Sequence, residues 1–432
     1  MRSAHLRFGS RFARALTTIG VIASALALSA PPAGAVSGSQ VSTGAVHVCV
    51  RTPGGAALCW GDNGTGMLGD GTYRDRKMPV TVVGLGHDVA DVQAAWDHSC
   101  AVTTGGGVLC WGHNGDGELG DGTHRGRSKP AFVRGMDDGF TQVSLGFDSG
   151  CALTTAGGVL CWGYNGDGQL GDGTRDTRSI PVGVVGLSSG VAAIAAGWDH
   201  TCALTTGGGV LCWGQNADGE LGDGTRTDRL RPVDVAGLSS GVAAVSAGFD
   251  QTCALLEDGA VRCWGQNGTG EIGDGTSALR ARPVNVVGLS AGVASISAGY
   301  NHTCAVTTGG GALCWGANHS GELGDGTTTS RSSPVAVFGS AIGVAEISAG
   351  GWKHAGLTCL RTTSRAVFCF GANHEVSGLE PIGSLGGQIG DGTSIDRHTP
   401  IGVRRLNGIR ATSRVGMLIL EVARSALDGL RS

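Results

Sequence analysis

The chain lacks an excess of positive charge. Its 432 residues include 31 Lys and Arg against 35 Asp and Glu. Four of the arginines fall within residues 1–35, which contain no acid, so the remainder has a net charge of −8. Nucleic-acid binders usually show a basic excess or a basic patch. We therefore expect no nucleic-acid partner.

The chain also lacks a helical period and a separate group of catalytic residues. Its repeated part shows no apolar spacing of about 3.6 residues over the length of a helix. No Ser/His/Asp grouping, paired-carboxylate site or phosphate loop stands apart from the repeated pattern. Catalysis normally needs such a unique constellation. We expect an all-β protein that is not an enzyme and uses no metal or cofactor.

What the sequence does contain is one unit copied seven times. The first cysteine of each copy recurs every 51 residues, and the seventh follows after four extra residues. In the copy around Cys202, short apolar runs and Gly-rich turns predict strands at 193–196, 201–205, 210–214 and 233–236. Such units bury their apolar faces only against neighbours. The pattern predicts a seven-bladed β-propeller, with four antiparallel strands per blade, over 41–406.

Each repeat carries two cysteines separated by ten positions. In an antiparallel hairpin that turns on 206–208, Cys202 and Cys212 stand directly opposite each other, within reach of disulfide geometry. Zinc sites usually show shorter Cys spacings, which do not occur here. We predict seven disulfides, one in each blade: Cys49–Cys59, Cys100–Cys110, Cys151–Cys161, Cys202–Cys212, Cys253–Cys263, Cys304–Cys314 and Cys359–Cys369.

The two ends of the chain depart from the repeat. Residues 1–35 combine arginines, an apolar run at 15–30 and a small-residue site at 33–35, as in a secretory signal peptide. An uncleaved anchor is the alternative. We expect a secreted or cell-surface protein with no membrane span after cleavage, because disulfides persist in oxidising compartments. The tail, 407–432, could pack on the propeller, and 400–406 is expected to close the ring near Val41.

The segment after the second cysteine is rich in Asn, Asp and Gly, as in NGDGELGDGT at 114–123. Oxygen-rich loops can bind calcium. The favoured interpretation is structural, because Gly supplies positive φ and Asn and Asp bond their own turn backbone. Repeat seven also carries an insertion at 375–385. It is either a partner-binding loop or a tolerated surface excursion.

Aromatic residues recur where the first strand turns into the second. Six repeats carry one, and a closed propeller would bring them to one end. The alternatives are an exposed interaction face and a core position between blades. We predict partner binding through these residues: Trp96, Phe147, Trp198, Phe249, Tyr300 and Trp352.

Two further positions recur and are predicted to be structural. Histidines two residues after these aromatic positions are expected to bond turn backbone: His47, His98, His200, His302 and His354. Tryptophans after the second cysteine are expected to form the core between blades: Trp60, Trp111, Trp162, Trp213, Trp264 and Trp315.

The pattern H-x-C-A-L-x-x-x-G-x-V-x-C-W-G-x-N-x-x-G-x-L-G-D-G-T resembles the regulator-of-chromosome-condensation repeat. The resemblance covers all seven repeats and implies a seven-bladed propeller similar to secreted bacterial members such as a β-lactamase-inhibitory protein. The cysteine pairs are not general to that family. Phe370 replaces the tryptophan in repeat seven.

A repeat motif is weakly specific for function. Our first hypothesis is a non-catalytic module that binds an extracellular or cell-surface protein. The alternatives are an extracellular hydrolase or lyase that uses the central pocket, and the guanine-nucleotide exchange role that the family name suggests.

Overall fold

The polypeptide folds into seven antiparallel sheets of four consecutive strands. The computed structural model describes residues 41–340, 343–353, 355–374, 386–404 and 406, and no α-helix occurs among them. This arrangement confirms the all-β, seven-bladed propeller. The predicted signal peptide, the insertion at 375–385, the tail at 407–432 and His354 lie outside the described residues.

Each blade is one sheet in chain order. Blades one and two contain β1 (Val41–Thr43), β2 (His47–Arg51), β3 (Ala57–Gly61) and β4 (Arg76–Thr81), then β5 (Val89–Ala94), β6 (His98–Thr103), β7 (Val108–Gly112) and β8 (Arg127–Phe132). Blades three and four contain β9 (Phe140–Leu145), β10 (Ser149–Thr154), β11 (Val159–Gly163) and β12 (Arg178–Gly183), then β13 (Val191–Ala196), β14 (His200–Thr205), β15 (Val210–Gly214) and β16 (Arg229–Asp234).

Blades five and six contain β17 (Val242–Ala247), β18 (Gln251–Leu256), β19 (Val261–Gly265) and β20 (Arg280–Asn285), then β21 (Val293–Ala298), β22 (His302–Thr307), β23 (Ala312–Gly316) and β24 (Arg331–Ala336). Blade seven contains β25 (Val344–Trp352), β26 (Ala355–Thr362), β27 (Val367–Gly371) and β28 (Arg397–Gly402). The first strand of each blade lines a central cavity. The fourth strand is the outer edge and is largely half-exposed.

The fourth strand begins earlier than we predicted. In blade four it spans Arg229–Asp234 rather than 233–236. The register shifts between Cys212 and Gly214, so Arg229 pairs with Gly214 while Val233 pairs with Cys212. Pro232 therefore lies within the strand. An edge strand tolerates proline because a missing N–H there breaks no ladder bond.

The seven cysteine pairs are all disulfides in the structure. In every blade the two cysteines are direct cross-strand partners of the second and third strands, as Cys202 and Cys212 are. The Cα atoms of each pair lie 4.1 or 4.2 Å apart. Each bridge cross-links one hairpin within one blade.

Neighbouring blades share seven apolar clusters, each of which combines residues of two blades. The tryptophan after the second cysteine belongs to the cluster of the preceding blade, which confirms its predicted core role. The indole N–H of Trp264 donates to the carbonyl of Glu220 at 2.8 Å. Gly222, at φ +65°, leaves room for this ring, because an added Cβ would lie 2.7 Å from the indole nitrogen.

The Asn- and Asp-rich segment is a turn network, as the favoured interpretation predicts. Buried Asn216 donates through Nδ2 to the carbonyl of Thr227 and accepts through Oδ1 from the amide of Leu221. Asp223 accepts from the amide and hydroxyl of Thr225 and from Arg229. These oxygens are already engaged by the backbone and Arg229, and the pattern recurs in all seven repeats.

The ring closes through the inner ends of the first and last blades. The amide of Thr43 donates to Ser348 Oγ at 3.0 Å, and the amide of Gly351 donates to the carbonyl of Gly44 at 2.9 Å. Leu406 packs in the same cluster as Val41. The region 400–406 thus contributes side-chain packing near Val41, whereas strands of the first and last blades do not pair with one another.

Equivalent hydrogen bonds join successive blades around the axis. The amide of Trp198 donates to the carbonyl of Gly248 at 3.0 Å, and the amide of Phe147 donates to the carbonyl of Trp198 at 3.1 Å. The close approach leaves no room for a side chain at Gly197, although the second repeat has Ala95 at the equivalent position. A Cβ on Gly197 would lie 2.5 Å from the Gly248 oxygen and from the His200 ring.

The double substitution Cys202→Ala and Cys212→Ala should lower the free energy of unfolding by about 2–3 kcal/mol, because the bridge closes a loop of about eleven residues in the unfolded chain. Urea unfolding monitored by circular dichroism measures the change. An unchanged midpoint and slope would show that the bridge contributes nothing to stability.

The substitution Gly197→Ala should lower the free energy of unfolding by about 1–3 kcal/mol, because the added methyl group overlaps the neighbouring blade. Gly86→Ala is the control, since that residue has an ordinary φ and no atom near an added Cβ. Equal stability of the two variants would contradict the requirement for close approach at Gly197.

Candidate functional site

Six aromatic side chains meet at one end of the central cavity, and we call them the aromatic cap: Trp96, Phe147, Trp198, Phe249, Tyr300 and Trp352. Each is half-buried. Trp198 contacts all five other rings, with centroid distances from 3.8 Å to Phe147 to 5.9 Å to Tyr300. The rings therefore pack on one another at the axis. Trp96 and Trp352 also pack against the apolar cluster between the first and second blades, so these two combine the predicted interaction face with a core contact.

The cavity beneath the cap has a small chamber and a larger one. Five of the rings, all except Trp352, line a chamber of about 120 Å³ together with glycines such as Gly197. Alanines at the ends of the first strands, such as Ala196, also line the larger chamber, of about 450 Å³. The larger chamber is rich in Ser and Gln. The cap thus covers one end of a polar cavity.

The hydroxyl groups in the larger chamber have structural partners. Ser144 Oγ accepts from the amide of Ala196 at 2.8 Å, and Ser246 Oγ accepts from the amide of Ala298 at 2.9 Å. Gln142 both donates to and accepts from the backbone of Ile194. These side chains connect neighbouring blades.

Carboxylates surround the cap, and we call them the acidic collar: Asp97, Glu118, Asp148, Asp199, Glu220, Asp250, Glu271 and Glu322. Burial, followed by repulsion from Glu220 and other acids, raises the pKa of Asp250 to about 8. Burial, followed by repulsion from Asp167, raises the pKa of Asp199 to about 7. Burial also raises the pKa of Glu220 to about 7. The collar therefore combines mutually repelling carboxyl groups with restricted hydration.

Four collar-associated side chains converge between the second and third blades. One ligand atom from each of Asp97, His113, Glu118 and Asp148 lies within 4.8 Å of the others. His113 forms an ion pair with Glu118, and its Nδ1 lies 3.5 Å from Asp97 Oδ2. The hydrogen bond to Glu118 raises the pKa of His113 to about 9 against the effect of burial.

The sequence reasoning missed His113 and Glu118, although it noted the acids that follow the aromatic residues. The available signal was a histidine at a position that varies from repeat to repeat. The position of His113 is Tyr164 in the third repeat and Gln215 in the fourth. A single histidine at a variable position is a weak signal until two blades are brought together.

The recurring histidines make a different contact from the one we predicted. His47, His200 and His302 bond through Nε2 to a hydroxyl of the next blade, as His200 does to Thr252 Oγ1 at 2.8 Å. The expected bond to turn backbone is therefore wrong for these three. Burial lowers the pKa of His200 to about 4. The next blade presents this hydroxyl from the residue before its first cysteine, which is why the partner was not evident from local sequence.

Thermal stability should rise as the pH falls from about 9 to about 6.5. Asp199, Glu220 and Asp250 retain protons in the folded state that the unfolded chain releases near its ordinary pKa of about 4, so folding takes up protons over this range. Below about pH 6.5 the buried histidines, whose folded pKa is lowered, oppose the effect. Differential scanning calorimetry measures the melting temperature.

Asp250→Asn is the matched variant, because Asn301 occupies the equivalent position in the sixth repeat. It should reduce the difference in melting temperature between about pH 6.5 and pH 9. A melting temperature that is constant or rises toward pH 9 in the unsubstituted protein would contradict the raised pKa values.

The family model described as the RCC1-like domain matches residues 27–351 and 138–418. The Ultraviolet-B receptor UVR8 of Arabidopsis thaliana is 32% identical over 368 residues, which cover 83% of this chain and 80% of that protein. Human E3 ubiquitin-protein ligase HERC2 is 33% identical over 276 residues, covering 62% of this chain but 6% of the ligase.

Solved structures show the same fold. Yeast RCC1 (Prp20) in complex with Kap60 has a TM-score of 0.68 at 19% identity, covering 95% of this chain and 92% of that chain. Human WBSCR16 has a TM-score of 0.65 at 24% identity, covering 72% and 84%. These likenesses confirm the fold that the repeat motif implies. The family model and the plant receptor show that this chain belongs to the family of RCC1-like propellers.

Proposed function

We propose that this protein is an exported, non-catalytic propeller that binds another protein through the aromatic cap and the acidic collar. The observation that carries the proposal is the packing of six half-exposed rings on one another at a single end of the axis. Trp and Tyr are enriched among the residues that dominate binding energy. A cluster of this size at a surface is typical of an interaction site.

The cap is suited to binding because its rings already support one another. Trp198 lies parallel to Trp352, with a centroid distance of 4.8 Å and an interplanar angle of 12°. Rings held in this way lose little conformational freedom when a partner arrives. The cap thus offers a preorganised apolar surface.

The collar indicates the charge of the partner. Its carboxylates lie beside the rings, and the ammonium group of Lys353 lies 5.1 Å from the Trp352 centroid. This contact shows that a cation fits against the cap, where aromatic faces attract positive charge. We therefore infer that the partner presents Lys or Arg side chains to this end of the propeller.

Export is supported by the pairing of all fourteen cysteines. Disulfides of this number persist in oxidising compartments. No helix in the described part of the chain has the length and hydropathy needed to span a membrane. The segment at 1–35 is the proposed signal peptide.

The non-catalytic assignment is supported by the central cavity. Five of its serines and Gln142 bond to the backbone of the next blade, as Ser144 does. An extracellular hydrolase or lyase would instead need a nucleophile or an acid and base free to meet a substrate. We therefore propose the aromatic cap, and not the central cavity, as the functional surface.

Trp198→Ala should weaken partner binding at least about 10-fold, because this residue contacts every other ring of the cap. The oxidised protein is immobilised and used to capture proteins from culture fluid and cell-surface extract of the producing cells. Captured proteins are identified by mass spectrometry, and affinity for a purified partner is then measured by calorimetry. Trp352→Ala should act in the same direction.

Phe132→Ala is the control, since this aromatic residue is 49% exposed on an outer strand away from the cap. It should leave the affinity unchanged. Melting temperatures of all variants separate binding from folding. Unchanged affinity in Trp198→Ala, or a loss of affinity only where the melting temperature also collapses, would contradict the proposed face.

A further inference from the structure

The junction between the second and third blades differs from the other junctions in its chemistry. Asp97, His113 and Glu118 come from blade two, and Asp148 comes from blade three. We propose that these four side chains form a binding site for one divalent transition-metal cation, Mn²⁺ or Zn²⁺. The proposal is independent of the protein-binding role, since it concerns the free propeller.

The geometry is close to that of a metal site. The four ligand atoms lie within 4.8 Å of one another. Ligands at about 2.1 Å from a metal are about 3.4 Å apart in a tetrahedron and up to about 4.2 Å apart in an octahedron. Asp97 and Glu118 are buried, whereas the His113 side chain is 42% exposed. The two half-exposed ligands, His113 and Asp148, can move inward by the remaining distance.

A second observation points to a missing ligand at this place. Asp97 Oδ1 is buried and has no hydrogen-bond partner among the described residues. Beside it lies His98, which is fully buried and has no partner for either ring nitrogen; its Nδ1 is 3.8 Å from Asp97 Oδ1. A buried polar atom without a partner is costly. A cation bound by both oxygens of Asp97 would satisfy Oδ1 together with Oδ2, which lies 3.5 Å from His113 Nδ1.

The reason that His98 is unpartnered is visible in the next blade. His200 bonds to the hydroxyl of Thr252, but the residue that faces His98 in the equivalent position is Gly150. This junction thus combines two differences from the fourth-to-fifth junction: His113 at a position that varies among the repeats, and Gly150 in place of Thr252. Both differences change the surroundings of Asp97.

The donor set selects the class of metal. One imidazole nitrogen and three carboxylates supply nitrogen and oxygen but no sulfur. Calcium and magnesium prefer sites made of oxygen alone. Zn²⁺ and Mn²⁺ accept imidazole together with carboxylates. Three carboxylates around one site also favour a divalent cation over a single proton on His113.

The junction between the fourth and fifth blades provides a natural control. It holds Asp199, Glu220 and Asp250 in the equivalent positions, with Gln215 in place of His113. Glutamine is therefore compatible with this fold at that position. The substitution H113Q removes the imidazole ligand, and Q215H introduces one beside a matching set of carboxylates.

The test is isothermal titration calorimetry of the full-length, oxidised, chelator-treated protein with MnCl₂ and, separately, ZnCl₂. We expect one site per chain for at least one of the two metals. H113Q should weaken binding at least about 10-fold, and Glu118→Gln should do likewise. Q215H should raise the number of sites from one to two. Circular dichroism and melting temperature verify that each variant is folded.

Three results would overturn the proposal. One is the absence of binding by the unsubstituted protein, which would leave a protonated His113 as the group that balances the carboxylates. Another is equal affinity of H113Q, which would indicate adventitious binding to surface acids. The third result applies if H113Q does not fold. In that case, a Q215H variant that binds no additional metal ion would overturn the proposal. These metal-binding measurements do not depend on whether the aromatic cap captures a protein partner, so the two proposals can fail separately.

Discussion

The contact between neighbouring blades is the constraint on which the rest of the structure depends. A four-stranded blade has two apolar faces and can bury them only against the blades on either side. The tryptophan of one blade fills the cluster of the preceding blade, and its N–H satisfies a buried carbonyl, as Trp264 does with Glu220. Because the Trp264 ring lies against Gly222, the spacing of the repeat must be kept in register with this contact.

The same constraint creates the candidate binding face. Since every blade turns at the axis in the same way, a residue at that turn is placed beside its counterparts from other blades. The small residue before it, glycine in five of the six repeats and Ala95 in the second, allows the backbone of the next blade to approach. The aromatic rings then pack on one another, and Trp96 and Trp352 also contact an apolar cluster between blades. The cap is therefore a consequence of rotational repetition, whereas its chemistry is set by the residue chosen at each turn.

Repetition also explains what could be predicted from sequence. The period, the hairpin register of Cys202 and Cys212 and the buried tryptophans follow from alternation within one unit. The start of β16 could not be predicted from the sequence, because a bulge between Cys212 and Gly214 shifts the pairing register of the two strands. The partner of His200 did not follow either, since Thr252 reaches it from another blade. Contacts between copies need the ring geometry.

The candidate metal site belongs to this second class, and it shows where specific chemistry arises in a repeat protein. Stability comes from positions that every copy shares, so those positions identify the fold and say little about function. At the second junction, however, His113 adds an imidazole to the collar while Gly150 removes the hydroxyl that would have satisfied His98. The first places an imidazole beside Asp97, and the second leaves the buried ring nitrogens of His98 without partners among the described residues. Differences between repeats that lie close together in space are therefore more informative about function than the positions that all repeats share.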